Sequence, residues 1–200
     1  MISTILLAIV LGVYLDQDVG SGSRRVEFGD YEACGPCCLY MACVAKGANV
    51  DFDSMLREFQ LGPKGESSLA ELERVARRFG LAPISARVTP RIAAALPIPF
   101  IAHMKGKAGD LDHFVLVLFV STTDVMFIDP PRIARLETME RFNARWSGNI
   151  VAFAESRQEA ELMRREIELL GHGRYIEAAL SAVLVAAVFS TMVLVWPQRK

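Results

Sequence analysis

Histidine is scarce in this 200-residue chain, with only His103, His113 and His172. Any imidazole chemistry must use one of these three. A charge excess is missing too: the formal net charge is -1. That leaves no bulk electrostatic case for binding nucleic acid, and no nucleic-acid partner is expected. No G-x-x-x-x-G-K-[ST] loop occurs, so the phosphate cradle of an ATPase is lacking. Internal repeats and low-complexity segments are absent as well. Cysteine is few but not scattered. All four, Cys34, Cys37, Cys38 and Cys43, lie in DYEACGPCCLYMACVAKG, from Asp30 to Gly47. The one C-x-x-C, Cys34 to Cys37, offers two of the four ligands a structural zinc takes, and no second pair completes it. No metal and no other cofactor is therefore expected. A metal or redox role for that pair stays open as an alternative to a thiol nucleophile or plain packing.

The mean hydropathy of +0.29 has a local cause at the two ends. Residues 1–15 are apolar and uncharged. They are short for a membrane span and fit a retained anchor better than a cleaved signal, because no basic residue precedes them and no small-x-small site closes them. Residues 16–29 form a polar, glycine-rich linker. Residues 175–197 are apolar apart from Glu177, flanked by Tyr175 and Trp196, and read as a transmembrane helix. Arg24, Arg25, Arg157, Arg164, Arg165 and Arg174 lie on the inner sides of the two segments, against Arg199 and Lys200 beyond them. This bias places the central domain, residues 30–154, in the cytoplasm at the inner (cytoplasmic) membrane. Residues 155–174 read as an amphipathic connector helix, with Ala160, Met163, Ile167 and Leu170 on one stripe.

Within the central domain, helix signals come first. Gly35 to Lys46 reads as a buried helix stopped by Gly47. Asp51 or Asp53 caps a short helix through Phe59. Ser68 with Glu71 makes a capping box, and Leu69, Leu72, Val75, Ala76 and Phe79 share the face of the helix it opens. Strand signals follow at Ala82 to Val88, Ile98 to His103, His113 to Val120, Val125 to Asp129 and Asn149 to Phe153. Short helices are expected after Thr89-Pro90 and over Thr138 to Trp146. HFVLVLFV is a continuous apolar run, so it reads as a strand buried on both faces. Helices first and strands afterwards make an α+β domain.

A thiol becomes a nucleophile when a helix N-terminus and an imidazolium stabilise its thiolate. Cys34, followed by Gly35-Pro36, meets the first condition. His113 begins the most buried strand, and Asp129 ends the strand expected to pair with it. Such a hairpin brings carboxylate and imidazole together, so that Asp129 orients the ring. Cys34, His113 and Asp129 are thus the candidate catalytic residues. Cys37, Cys38 and Cys43 read as helix packing.

ACGPCCLYMACVAKG, DHFVLVLFV, FIDPPR and RWSGNIVAF together resemble the peptidase C39 family, over roughly Asp30 to Ala154. These are papain-like cysteine peptidase domains that cut bacteriocin-type leader peptides after a double glycine, and many are fused to peptide-exporting ABC transporters. The resemblance implies that Cys34 is the nucleophile, His113 the general base and Asp129 its orienting partner, with Cys38 matching a second, non-catalytic cysteine. It departs at one position. The family's usual glutamine, six residues before the nucleophile, donates to the oxyanion; here that residue is Phe28. The Cys34 backbone N–H and the Tyr31 hydroxyl are the remaining candidate donors. The expectation is a membrane-anchored C39-like cysteine peptidase acting on leader-type peptides beside a separate ABC transporter. The alternative is a catalytically impaired domain that binds a leader peptide for that transporter.

Overall fold

A computed structural model of the chain describes residues 34–62, 66–106, 113–130 and 132–171. The expected segments 1–15, 16–29 and 175–197 lie outside these, as do Phe28, Tyr31 and His172. Among the described residues no helix is long and apolar enough to cross a membrane.

The first helix, α1 (Cys34–Ala45), is apolar nearly all round, and its first six residues are all buried. An all-round apolar helix has no solvent face to offer, so it sits between other elements. It stops where Gly47 takes φ +77°. The Ala48 N–H then donates to the Cys43 carbonyl and the Gly47 N–H to that of Val44, the two bonds of a Schellman cap. Asp51 caps α2 (Phe52–Glu58) through the Ser54 N–H. Ser68 caps α3 (Leu69–Arg78) through the Glu71 N–H. The reciprocal half of the expected capping box is diverted. Glu71 turns its carboxylate to the Gln60 N–H and to Arg74, tying α3 to the end of α2.

The strands are β1 (Ala82–Arg87), β2 (Phe100–Met104), β3 (His113–Val120), β4 (Asp124–Ile128), β5 (Arg135–Thr138) and β6 (Trp146–Ala154). Between them lie α4 (Pro90–Ala93), capped by Thr89, and α5 (Met139–Arg145), capped by Thr138. A last helix, α6, covers residues 157–171. The strands form one sheet in the order β1-β6-β2-β3-β4-β5, antiparallel throughout. The α+β expectation holds, with three differences of detail. β2 begins at Phe100, not Ile98, because Pro99 has no N–H to give a ladder. β6 begins at Trp146, whose backbone is already extended where the short helix ends. β5 was not expected at all: its residues alternate between half-buried and exposed, with no apolar run to signal it.

Successive side chains of a strand point to opposite faces, and here both faces are covered. Ile101, Phe114, Leu116, Leu118, Ile128, Val151 and Phe153 pack with α1, α2 and α3. Phe100, Ala102, Val115, Val117, Val125, Phe127, Ile150 and Ala152 pack with α4, α5 and α6. The run HFVLVLFV is thus a central strand between β2 and β4, as its composition predicts. α6 contributes Ala160, Met163 and Ile167 to the second face, while Leu170 at the end of the expected stripe stays 46% exposed. The connector is therefore part of the domain's own packing as far as Ile167.

Phe127 is fully buried, with its ring 5.3 Å from that of Phe142 and the Arg135 guanidinium 4.8 Å above it. Phe127→Ala is expected to destabilise the domain by about 3–5 kcal/mol, read as a lowered urea midpoint with an unchanged m-value.

Candidate active site

β3 and β4 are antiparallel neighbours with Leu116 opposite Ile128. One further step along that register sets Asp129 beside Val115. His113 is two residues from Val115, which leaves it diagonal to Asp129 across the strand pair, a separation that long side chains bridge. The His113 Nε2 and Asp129 Oδ1 atoms are 2.5 Å apart. The Cys34 side chain is also close enough to the imidazole to raise its pKa. With Nε2 given to Asp129, the ring nitrogen left for Cys34 is Nδ1. Three residues predicted from the sequence, on a helix start, a strand start and a strand end, therefore meet in one chain of contacts, Cys34 to His113 to Asp129.

α1 supplies Cys34 as its first helical residue, at 9% exposure. Gly35 follows because the space beside it is taken: a Cβ there would stand 1.9 Å from Ser67 Oγ and 3.4 Å from the Phe114 ring. The chain before α3 and strand β3 thus close over the helix start, and only glycine leaves room for them.

Asp129 is 4% exposed, the one buried charged residue among those described. Its Oδ2 accepts from Arg132 Nη1 at 2.8 Å and from Arg135 Nη2 at 3.0 Å. Burial raises the Asp129 pKa. The His113 hydrogen bond and the charges of His113, Arg132 and Arg135 outweigh burial, so the carboxyl lies below its usual value. For His113 burial acts in the opposite sense and lowers the pKa. Hydrogen bonds to Asp129 and Cys34, with the charges of both, overcome it and carry the imidazole from 6.5 to about 9. The ring is then an imidazolium at neutral pH, held by a carboxylate that is itself held by two guanidiniums.

The two arginines are the part of the site that sequence reasoning missed. Arg132 had a visible signal. Asp129-Pro130 begins a β-turn with proline in its favoured second place, and the Arg132 N–H donates to the Asp129 carbonyl at 2.7 Å. That turn folds Arg132 back over the carboxylate. Arg135 had none, because it arrives through the pairing of Phe127 with Arg135 in the unexpected strand β5.

The remaining cysteines behave as expected of packing residues. Cys37, Cys38 and Cys43 are at most 2% exposed and none is in a disulfide. Burial pushes Cys37 and Cys43 up to about 12, and Cys37 also feels the charge of Cys34. Cys38 is raised well above its ordinary value by burial and by the charges of Cys34, Cys37 and Asp129. His103 stands apart from the three-residue chain, with its Nδ1 2.9 Å from Ser147 Oγ and its ring against Phe114.

Residues 26–158 match the Peptidase C39 family. The chain is 30% identical over 115 residues to MchF, a probable microcin-H47 secretion/processing ATP-binding protein of Escherichia coli. It is 27% identical over 137 residues to CvaB, the colicin V secretion/processing ATP-binding protein of the same organism. These stretches take up 58% and 68% of this chain but only 16% and 19% of the two relatives. Two solved structures share its fold. One is a double glycine motif protease from an AMS/PCAT transporter in complex with the leader peptide, with 21% identity and TM-score 0.56, covering 62% of this chain and 86% of the other. The other is the peptidase domain of Streptococcus ComA, a bi-functional ABC transporter of a quorum-sensing pathway, with 22% identity and TM-score 0.56, covering 64% and 94%. The α+β fold is thus the papain-like one of these domains, and by its match over residues 26–158 the chain belongs to the Peptidase C39 family.

Proposed function

We propose that this protein is a membrane-anchored cysteine peptidase that cleaves leader-type peptides by a Cys34-His113-Asp129 mechanism. The observation that carries the reading is the continuous contact from the Cys34 side chain through the His113 ring to the buried Asp129 carboxylate. Cys34 and His113 react as a thiolate–imidazolium pair, and the thiolate attacks the peptide carbonyl carbon. The Cys34 N–H donates to the oxygen that becomes negative. The His113 imidazolium then gives its proton to the leaving amine, and water hydrolyses the thioester with His113 as base. Asp129 keeps the ring oriented and stabilises its charged form. Arg132 and Arg135 hold Asp129 ionised and in place.

The relatives support the choice of substrate. One solved structure of this fold holds a leader peptide, and the E. coli proteins are named for secretion and processing. The anchoring segments 1–15 and 175–197 then keep the domain at the inner membrane, on its cytoplasmic side, beside a separate ABC transporter. The second reading, a leader-binding domain without turnover, is favoured by Phe28, which stands where the family places its oxyanion glutamine.

Incubation of the full chain with double-glycine leader peptides, followed by mass spectrometry, separates the two. Peptidase action predicts cleavage that Cys34→Ala lowers on the order of 10³-fold or more. Intact peptide with wild type, bound equally well by Cys34→Ala, supports the binding reading instead.

The charge state of His113 gives a second test. kcat/KM should fall above about pH 9, where the imidazolium loses its proton. Asp129→Asn removes the carboxylate that favours the imidazolium, so the alkaline limb moves to lower pH and kcat drops. Arg135→Gln removes a positive charge from beside the pair and moves that limb the other way.

A further inference from the structure

Cys34-Gly35-Pro36-Cys37 opens α1 with two thiols one helical turn apart, and the proposed peptidase mechanism uses only the first. We infer that Cys34 and Cys37 form a reversible disulfide that switches the site off. In a regular helix, Cα atoms three residues apart are separated by roughly 5 Å, inside the 4.4–6.8 Å that a disulfide spans. The Cβ atoms start about 5–6 Å apart and must close by roughly 1–1.5 Å.

The start of α1 can accommodate that. Pro36, between the two thiols, has no N–H, so the turn that must tighten holds one helical hydrogen bond fewer than an ordinary turn. Cys38 is placed differently. It is fully buried with Leu39 in the core. Cys37 is therefore the partner that fits. The two thiols are also unequal in a useful way. Cys34 stands beside the charged His113 ring, while burial keeps Cys37 protonated. Cys34 is thus the sulfur that attacks an oxidant and Cys37 the one that resolves the product.

With exposures of 9% and 2%, the pair suits a small oxidant, hydrogen peroxide. The Cys34 thiolate attacks a peroxide oxygen, the O–O bond breaks, and the leaving hydroxide takes a proton from the His113 imidazolium to form water. Cys34 is left as a sulfenic acid. The Cys37 sulfur then attacks the Cys34 sulfur, the S–O bond breaks, and the Cys37 proton leaves with the hydroxide as a second water. Two thiols and one peroxide give one disulfide and two waters. A dithiol reductant reverses the bond by exchange. The disulfide stands on the spacing of the pair; its effect on cleavage rests on the reading of Cys34 as nucleophile.

The test uses the full-length reduced chain treated with one equivalent of hydrogen peroxide, with wild type and Cys37→Ala in parallel. Linked peptides are mapped by mass spectrometry, and Cys34 alkylation and leader cleavage are followed separately. Wild type should yield a Cys34–Cys37 linkage, lose alkylation and cleavage together, and regain both with dithiothreitol. Cys37→Ala should cleave normally at first, and under excess peroxide its loss should become irreversible as Cys34 passes to sulfinic acid. A bond mapped to Cys38, no linkage in wild type, or equal recovery in Cys37→Ala overturns the inference. A linkage in a chain that never cleaves keeps the disulfide and overturns the peptidase reading alone. The wild-type mapping decides the linkage even where the variant fails to fold.

Discussion

Asp129 is an anion with 4% of its surface exposed, and burying an anion without partners is strongly unfavourable. Its two carboxylate oxygens are divided between two tasks. Oδ1 meets His113, while Oδ2 is taken by Arg132 and Arg135. The arginines fix the carboxylate from outside, so its inner oxygen has one place to point. The rest of the proposed site depends on that division. Because Asp129 takes Nε2, the other ring nitrogen faces Cys34, and because the carboxylate stays ionised, the ring stays charged.

The sheet makes this arrangement possible by being covered on both faces. A strand packed on two sides cannot slip in register without moving apolar residues out of the core. β3 and β4 lie inside such a sheet, so the diagonal between His113 and Asp129 is set by packing and not by the pair itself. α1 is held against β3 by the same core, and the missing Cβ of Gly35 lets Ser67 and Phe114 close on its first turn.

Much of this was legible in the sequence. HFVLVLFV announced a doubly buried strand because nothing polar interrupts it. Cys34, His113 and Asp129 could be joined because only three histidines exist and one of them starts that strand. The arginine clamp was harder to read. Arg132 follows from the Asp-Pro turn, but Arg135 depends on β5, a four-residue edge strand whose side chains give no apolar pattern. The capping box at Ser68 was half right, since Glu71 found partners in Gln60 and Arg74 that no local rule names. Tertiary contacts, not local propensity, decided each of these.

The central claim is that one thiol among four is chemically distinct because of what faces it. Cys34 has an imidazolium beside it, whereas Cys37, Cys38 and Cys43 are held protonated chiefly by burial. Iodoacetamide labelling of the folded, reduced chain across pH, with each cysteine quantified by peptide mapping, measures this directly. The account predicts rapid labelling at Cys34, with the other three silent until the protein unfolds. Labelling of Cys37, Cys38 or Cys43 ahead of an inert Cys34 would contradict it.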